Sequence, residues 1–171
     1  MAASYSRDLP AVVILDTELE AHATALDAAA RPGIVHGDFR LDNVLVDGDD
    51  RPRAVIDWEM ATVGDPVTDL ALMLLYTRLA RLIGPEIAPD ADDAPGFLGE
   101  PEIIARYAAR SGRDLGGLGF HLGLAAFKLA SILEGIHYRH LGGQTVGLGF
   151  DRIGEAIHPL LDTGIAALKE H

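Results

Sequence analysis

The chain has 171 residues, 49% hydrophobic and 23% charged, a composition that fits one folded domain burying about two-thirds of its unfolded surface. A formal charge of −12 argues against nucleic acid or an anionic membrane as a non-specific partner. The lack of cysteine excludes disulfides and zinc–thiolate sites; with no leader-like start and no apolar run of about 18 residues, the expectation is a cytoplasmic protein.

In chain order, residues 1–15 are weakly patterned apart from an apolar run from Ala11 to Leu15. Thr17 and Glu20 form a capping box that predicts a helix running to about Ala30, broken by Arg31-Pro32-Gly33. Ile34 and Val35 predict a short buried strand that enters a loop from His36 to Asn43. Val44-Leu45-Val46 and Ala54-Val55-Ile56 predict two strands joined by the turn Asp47-Gly48-Asp49-Asp50. Beyond Asp57 a loop runs through Gly64-Asp65-Pro66, with Asp65 as N-cap and Pro66 in the first turn of a helix. That helix carries Leu70, Leu72, Met73, Leu74 and Leu75, apolar nearly all round, and is expected to be buried. Residues 84–99, rich in Pro, Asp and Gly, read as a mobile acidic loop. Helices are expected over 100–110, 118–140 and 151–169, with Asp151 capping the last. This order argues for a mainly helical α+β protein. We divide the single domain, 1–171, into a leading segment and helix (1–32), a catalytic and metal-binding core (33–78), the acidic loop, and a helical substrate-side subdomain (100–171).

The chemistry concentrates between Val35 and Leu72. Asp38 follows His-Gly, Asn43 stands five positions later, and Asp57 closes the second strand. This is the D-x-x-x-x-N plus distant-Asp spacing of kinase-type phosphoryl transfer. In it Asp38 is the catalytic residue that orients and accepts the proton of the attacking hydroxyl. Asn43 and Asp57 supply hard oxygen ligands suited to Mg²⁺ on nucleotide phosphates. A hairpin would bring the two together across 14 positions of sequence. Taken singly, these residues are a turn, a strand-start cap and a strand-end acid. Together, with Gly64-Asp65-Pro66-x-x-Asp69-Leu70 downstream, they favour a site.

Supporting roles follow. His36 is expected to hold the loop through a hydrogen bond to a backbone carbonyl. Asp69 either accepts backbone N–H groups of the catalytic loop or caps its own helix. Glu59 is a further carboxylate toward the metal or behind it, and Trp58 is read as packing. The two lysines, Lys128 and Lys169, lie in late helices, where neither suits the strand lysine that pairs with phosphates in kinases. His137 and His140, at i and i+3, read as a solvated helix face. The glycines from Gly142 to Gly147 lack the ending of a P-loop.

The runs His36-Gly37-Asp38-x-x-x-x-Asn43, Ile56-Asp57-Trp58-Glu59 and Gly64-Asp65-Pro66-x-x-Asp69-Leu70-Ala71 resemble the aminoglycoside phosphotransferase / choline kinase-like family. Ser111-Gly112-Arg113-Asp114-Leu115, Phe127-Lys128-Leu129 and Gly143-Gln144-Thr145 are similar to its branch of kinase-like domains fused to acyl-CoA dehydrogenases. The resemblance implies the C-terminal lobe of a protein-kinase-like fold, mainly helical with a short catalytic-loop β-hairpin. It implies ATP or GTP as donor with Mg²⁺, Asp38 as base, and Asn43 and Asp57 as metal and cofactor ligands. The acceptor would be a small hydroxylated molecule bound by the C-terminal helices, with Glu134, His137 and Tyr138 as lining candidates. The family's N-terminal lobe, with its phosphate-covering loop, strand lysine and helix glutamate, has no counterpart in these residues. Activity is therefore expected to need a missing lobe, and the exposed lobe interface is a candidate for self-association. Two other readings stay open: a non-catalytic truncated lobe or interaction module, and a Mg-dependent phosphohydrolase using water as nucleophile.

Overall fold

Leu9, Val12, Leu15 and Leu19 recur at helical spacing, and all four are buried. In the computed structural model, which describes residues 7–27, 31–83, 96–145 and 150–169, the last three form the inner stripe of helix α1, Pro10–Asp27, and Leu9 directly precedes it. The helix thus begins at Pro10, not at Thr17. The Thr17 hydroxyl donates to the Val13 carbonyl one turn back (2.9 Å) instead of capping a helix end. Burial of the Leu9–Leu19 stripe outweighs the local capping pattern, and Pro10 suits a first turn.

The other described elements are strands β1 (Gly33–Val35), β2 (Val44–Val46), β3 (Pro52–Val55) and β4 (Thr62–Gly64), and helices α2 (Val67–Ile83), α3 (Glu100–Ser111), α4 (Leu118–Leu141) and α5 (Ile157–Lys169). Asp65 caps α2 as its sequence suggests, its Oδ1 accepting the Val67 N–H at 2.9 Å. Asp151 does not cap α5: a separate 3₁₀ turn, Ile153–Ala156, precedes that helix. The residues 84–95 of the expected acidic loop lie outside the described residues.

Helix α4 packs against α5, α2 and α1, and α5 also against α1. Leu15, Leu72, Leu74, Leu75, Ile157, Leu160 and Leu161 are fully buried where these helices meet. Small residues let α4 and α5 approach closely, since a Cβ on Gly164 would stand 2.7 Å from that of Ala126. By length and composition α4 is apolar enough to cross a membrane, contrary to the reading of apolar runs above. Here its buried positions are taken up by neighbouring helices.

The strands form two separate antiparallel pairs. The hairpin β2–β3 sets Val44 opposite Val55, and β1 pairs with β4, Ile34 opposite Val63. β4 was not foreseen, because three residues between two loops carry no periodicity to read. Nor is β1 buried throughout: Val35 is 4% exposed and Ile34 70%, the alternation of a strand covered on one face only.

Candidate active site

Between β1 and β2 the chain turns through Gly37, whose φ of +85° places a would-be Cβ 2.6 Å from the Met60 carbonyl oxygen. Only glycine passes there without moving backbone. The turn is clamped from α2. Asp69 accepts the His36 N–H at Oδ2 (2.7 Å) and the Gly37 N–H at Oδ1 (2.9 Å). His36, 2% exposed, donates from Nε2 to the Ile56 carbonyl (2.8 Å). Nδ1 is then the acceptor and receives the Asp38 N–H at 3.3 Å. The Trp58 ring lies 4.6 Å from the imidazole, and its Nε1 donates to the Val55 carbonyl at 2.7 Å. His36 therefore ties the loop to the end of β3, with both ring nitrogens engaged.

This frame presents Asp38. The Asn43 amide nitrogen donates to the Asp38 carbonyl at 2.8 Å, and the Tyr76 hydroxyl donates to Asp38 Oδ1 at 2.8 Å. Burial first, then the bond to Asp38, pushes the Tyr76 phenol up to about 12, so it stays a donor at neutral pH. The Arg40 guanidinium lies 4.9 Å over the Tyr76 ring and pairs with Asp42. Lys128 on α4 donates to the Gly37 carbonyl.

The hairpin is closed by the Ile56 N–H donating to the Asn43 carbonyl at 2.9 Å, which sets Asp57 beside Asn43. Asp57 takes a left-handed conformation (φ 69°, ψ 50°), the turn through which the chain leaves the hairpin. Its carboxyl meets that of exposed Glu59. The hydrogen bond between them, then the charge of Asp57, raises Glu59 above the usual carboxylate range. With the Asn43 nitrogen engaged on Asp38, the amide oxygen is the end left for a cation. Asn43, Asp57 and Glu59 each carry oxygens of the kind Mg²⁺ takes, and a cation at the two carboxyls would relieve the Asp57–Glu59 repulsion. Among the described residues no group of three His, Cys, Asp or Glu forms a metal cage. Such a set suits an ion that keeps waters and phosphate oxygens rather than a structural metal.

The candidates on α4 lie elsewhere. Glu134 is 3% exposed and sits 3.6 Å from Arg7. His137 packs with Arg7 against Gly154, where a Cβ would stand 2.7 Å from the imidazole Cε1. Tyr138 is exposed. Lys128 reaches the loop after β1, whereas Glu134 is six positions on, roughly 240° around the helix at 100° per residue. Glu134 and His137 thus take part in the packing of α4 on the 153–156 turn and the segment before α1. Tyr76, Arg40 and Lys128 are the site residues that spacing did not single out. A signal existed for Tyr76: it stands two helical turns beyond Asp69, on the same face of α2.

The sequence profile of the phosphotransferase enzyme family (APH) matches residues 2–110. Acyl-CoA dehydrogenase family member 11 of Mus musculus is 33% identical over 173 residues, 98% of this chain and 22% of that protein. Viomycin phosphotransferase of Streptomyces vinaceus is 44% identical over 57 residues, 30% of this chain and 20% of that protein. A crystal structure from Ralstonia eutropha, described as an aminoglycoside phosphotransferase, superposes with a TM-score of 0.78 at 30% identity. It covers 96% of this chain and 50% of its own. The chain thus spans half the length of that solved relative and about a fifth of the mouse protein. The mainly helical α+β architecture is that of the protein-kinase-like fold, and the chain belongs to the APH phosphotransferase family.

Proposed function

We propose that the chain is the catalytic lobe of a small-molecule kinase, transferring the γ-phosphoryl group of ATP or GTP to a hydroxyl of a small acceptor. The observation that carries this reading is the bridge made by Asn43. Its side chain bonds the Asp38 carbonyl while its own carbonyl takes the Ile56 N–H, so one residue holds the base and the Asp57 turn side by side. In the transfer the acceptor oxygen forms a bond to the γ-phosphorus as the bond to the β–γ bridging oxygen breaks. The nucleoside diphosphate leaves with the electron pair, and the hydroxyl proton passes to Asp38. Asn43 and Asp57 would hold Mg²⁺, with Glu59 beside them; bound there, it supplies charge neutralisation for the phosphates. Because Lys128 is committed to the Gly37 carbonyl, the lysine that pairs with the donor phosphates is assigned to a companion lobe beyond this chain. Full activity then depends on that lobe, since positioning and electrostatics supply most of the catalysis.

The test is calorimetric titration of the chain with MgATP beside an Asp57→Ala variant. Micromolar binding by the parent, weakened at least about tenfold in the variant, is the expected result. Equal affinities, or no binding by the parent, would remove the donor site from this chain.

A further inference from the structure

We propose that Tyr76 is the positioning residue that sets the orientation of the Asp38 carboxylate, an inference that rests on the phosphoryl-transfer reading above. The backbone of Asp38 is held on both sides, its N–H on His36 Nδ1 and its carbonyl on the Asn43 amide. The backbone alone leaves the side-chain torsions of an aspartate free to choose among rotamers. Among the described residues, the hydrogen bond to that carboxylate comes from the Tyr76 hydroxyl, on Oδ1 at 2.8 Å. Oδ1 is thereby engaged, which leaves Oδ2 for the acceptor hydroxyl.

The anchor is rigid. Leu70, Leu72, Leu74 and Leu75 of α2 are all buried, so the helix is fixed in the core. From that one helix Asp69 grips the loop backbone and Tyr76, two turns on, grips the side chain of the base. Arg40, lying over the phenol ring, restrains Tyr76 from its outer side. A neutral donor also suits the task. A lysine or arginine in its place would pair with the carboxylate as an ion and compete with the acceptor proton. A phenol orients the group and leaves its charge in place.

The experiment measures MgATP turnover by the full-length gene product, with water as the acceptor, for the parent, Tyr76→Phe and Asp38→Asn. Tyr76→Phe removes the hydroxyl and keeps the ring on which Arg40 rests. We expect kcat to fall roughly tenfold, with MgATP affinity by calorimetry unchanged within about twofold. A residue that only fills space would keep its packing in Tyr76→Phe and leave kcat, affinity and melting temperature all intact. Turnover by Tyr76→Phe within about twofold of the parent, with Asp38→Asn inactive, overturns the role of Tyr76 and leaves the assignment of Asp38 standing. Parental turnover by Asp38→Asn, or none in the parent, overturns the phosphoryl-transfer reading and the role of Tyr76 with it.

Discussion

Asp69 satisfies two backbone N–H groups at a turn where no strand or helix can do so, which makes it the residue on which the His36–Asn43 loop hangs. Hydrogen bonds to a charged group contribute about 1.5–3 kcal/mol each, and removal of the acceptor strands both donors. Asp69→Ala is therefore expected to destabilise the chain by about 2–4 kcal/mol in urea unfolding, and Asp69→Asn, which keeps one acceptor, by about half of that. A loss under about 0.5 kcal/mol in the alanine variant would mean that water replaces the carboxylate and that the clamp is dispensable. At this scale the sequence was informative wherever chemistry is encoded by short spacing. Asp38, Asn43 and Asp57 stand out because a loop and a hairpin of fixed length must bring them together. Tyr76 and Lys128 did not stand out, because their partners, Asp38 and Gly37, are reached across 38 and 91 positions and chosen by helix packing. The surroundings of Glu134 are hidden from the sequence for the same reason. A polar residue on a long helix gives no sign of which face it occupies until Arg7 is seen beside it.

Glycines on the helices divide by what surrounds them, and the two kinds should respond oppositely to the same substitution. Gly164 on α5 sits at the crossing with α4, where a Cβ would meet Ala126 Cβ at 2.7 Å and Leu15 Cδ2 at 3.1 Å. Among the described residues, a Cβ on Gly135 of α4 would meet only the end of the flexible Arg139 side chain, at 3.8 Å. In an open helical position alanine gains up to about 1 kcal/mol over glycine, whereas overpacking costs about 1–3 kcal/mol. Thermal and urea unfolding should thus show Gly135→Ala slightly stabilised and Gly164→Ala destabilised by about 1–2 kcal/mol. Stabilisation of both would mean that α4 and α5 can part without loss. The elements themselves were readable where an apolar pattern is long, as in α2 and α4. They were misread where a local motif competed with a buried stripe, as at Thr17. The β1–β4 pair escaped notice because each strand has three residues and finds its partner through tertiary contact.

Among the described residues the helices enclose the core, and apolar side chains on the strand side are exposed. Ile34 and Val63 face each other across the β1–β4 pair at 70% and 76% exposure, with Leu45, Ile56, Trp58 and Met60 also exposed along the strands and turns that carry Asn43 and Asp57. An apolar surface of this kind favours contact with another, while a net charge of −12 opposes the approach of a second copy. The balance between them depends on salt, because the charge is screened over about 10 Å at 0.1 M and over about 3 Å at 1 M, and the apolar term is not. Sedimentation velocity of the isolated chain should show association that rises with protein concentration and strengthens with added salt. Replacing Ile34 and Val63 together by glutamate removes two of the most exposed apolar groups and adds repulsion to the same face. Both positions are open to solvent, so the cost to folding should stay within about 0.5 kcal/mol each. The double variant is expected to remain monomeric at both salt levels. Association of the variant equal to that of the parent would mean that the copies meet elsewhere. Weakening at high salt would mean that charge, rather than this apolar face, holds them together.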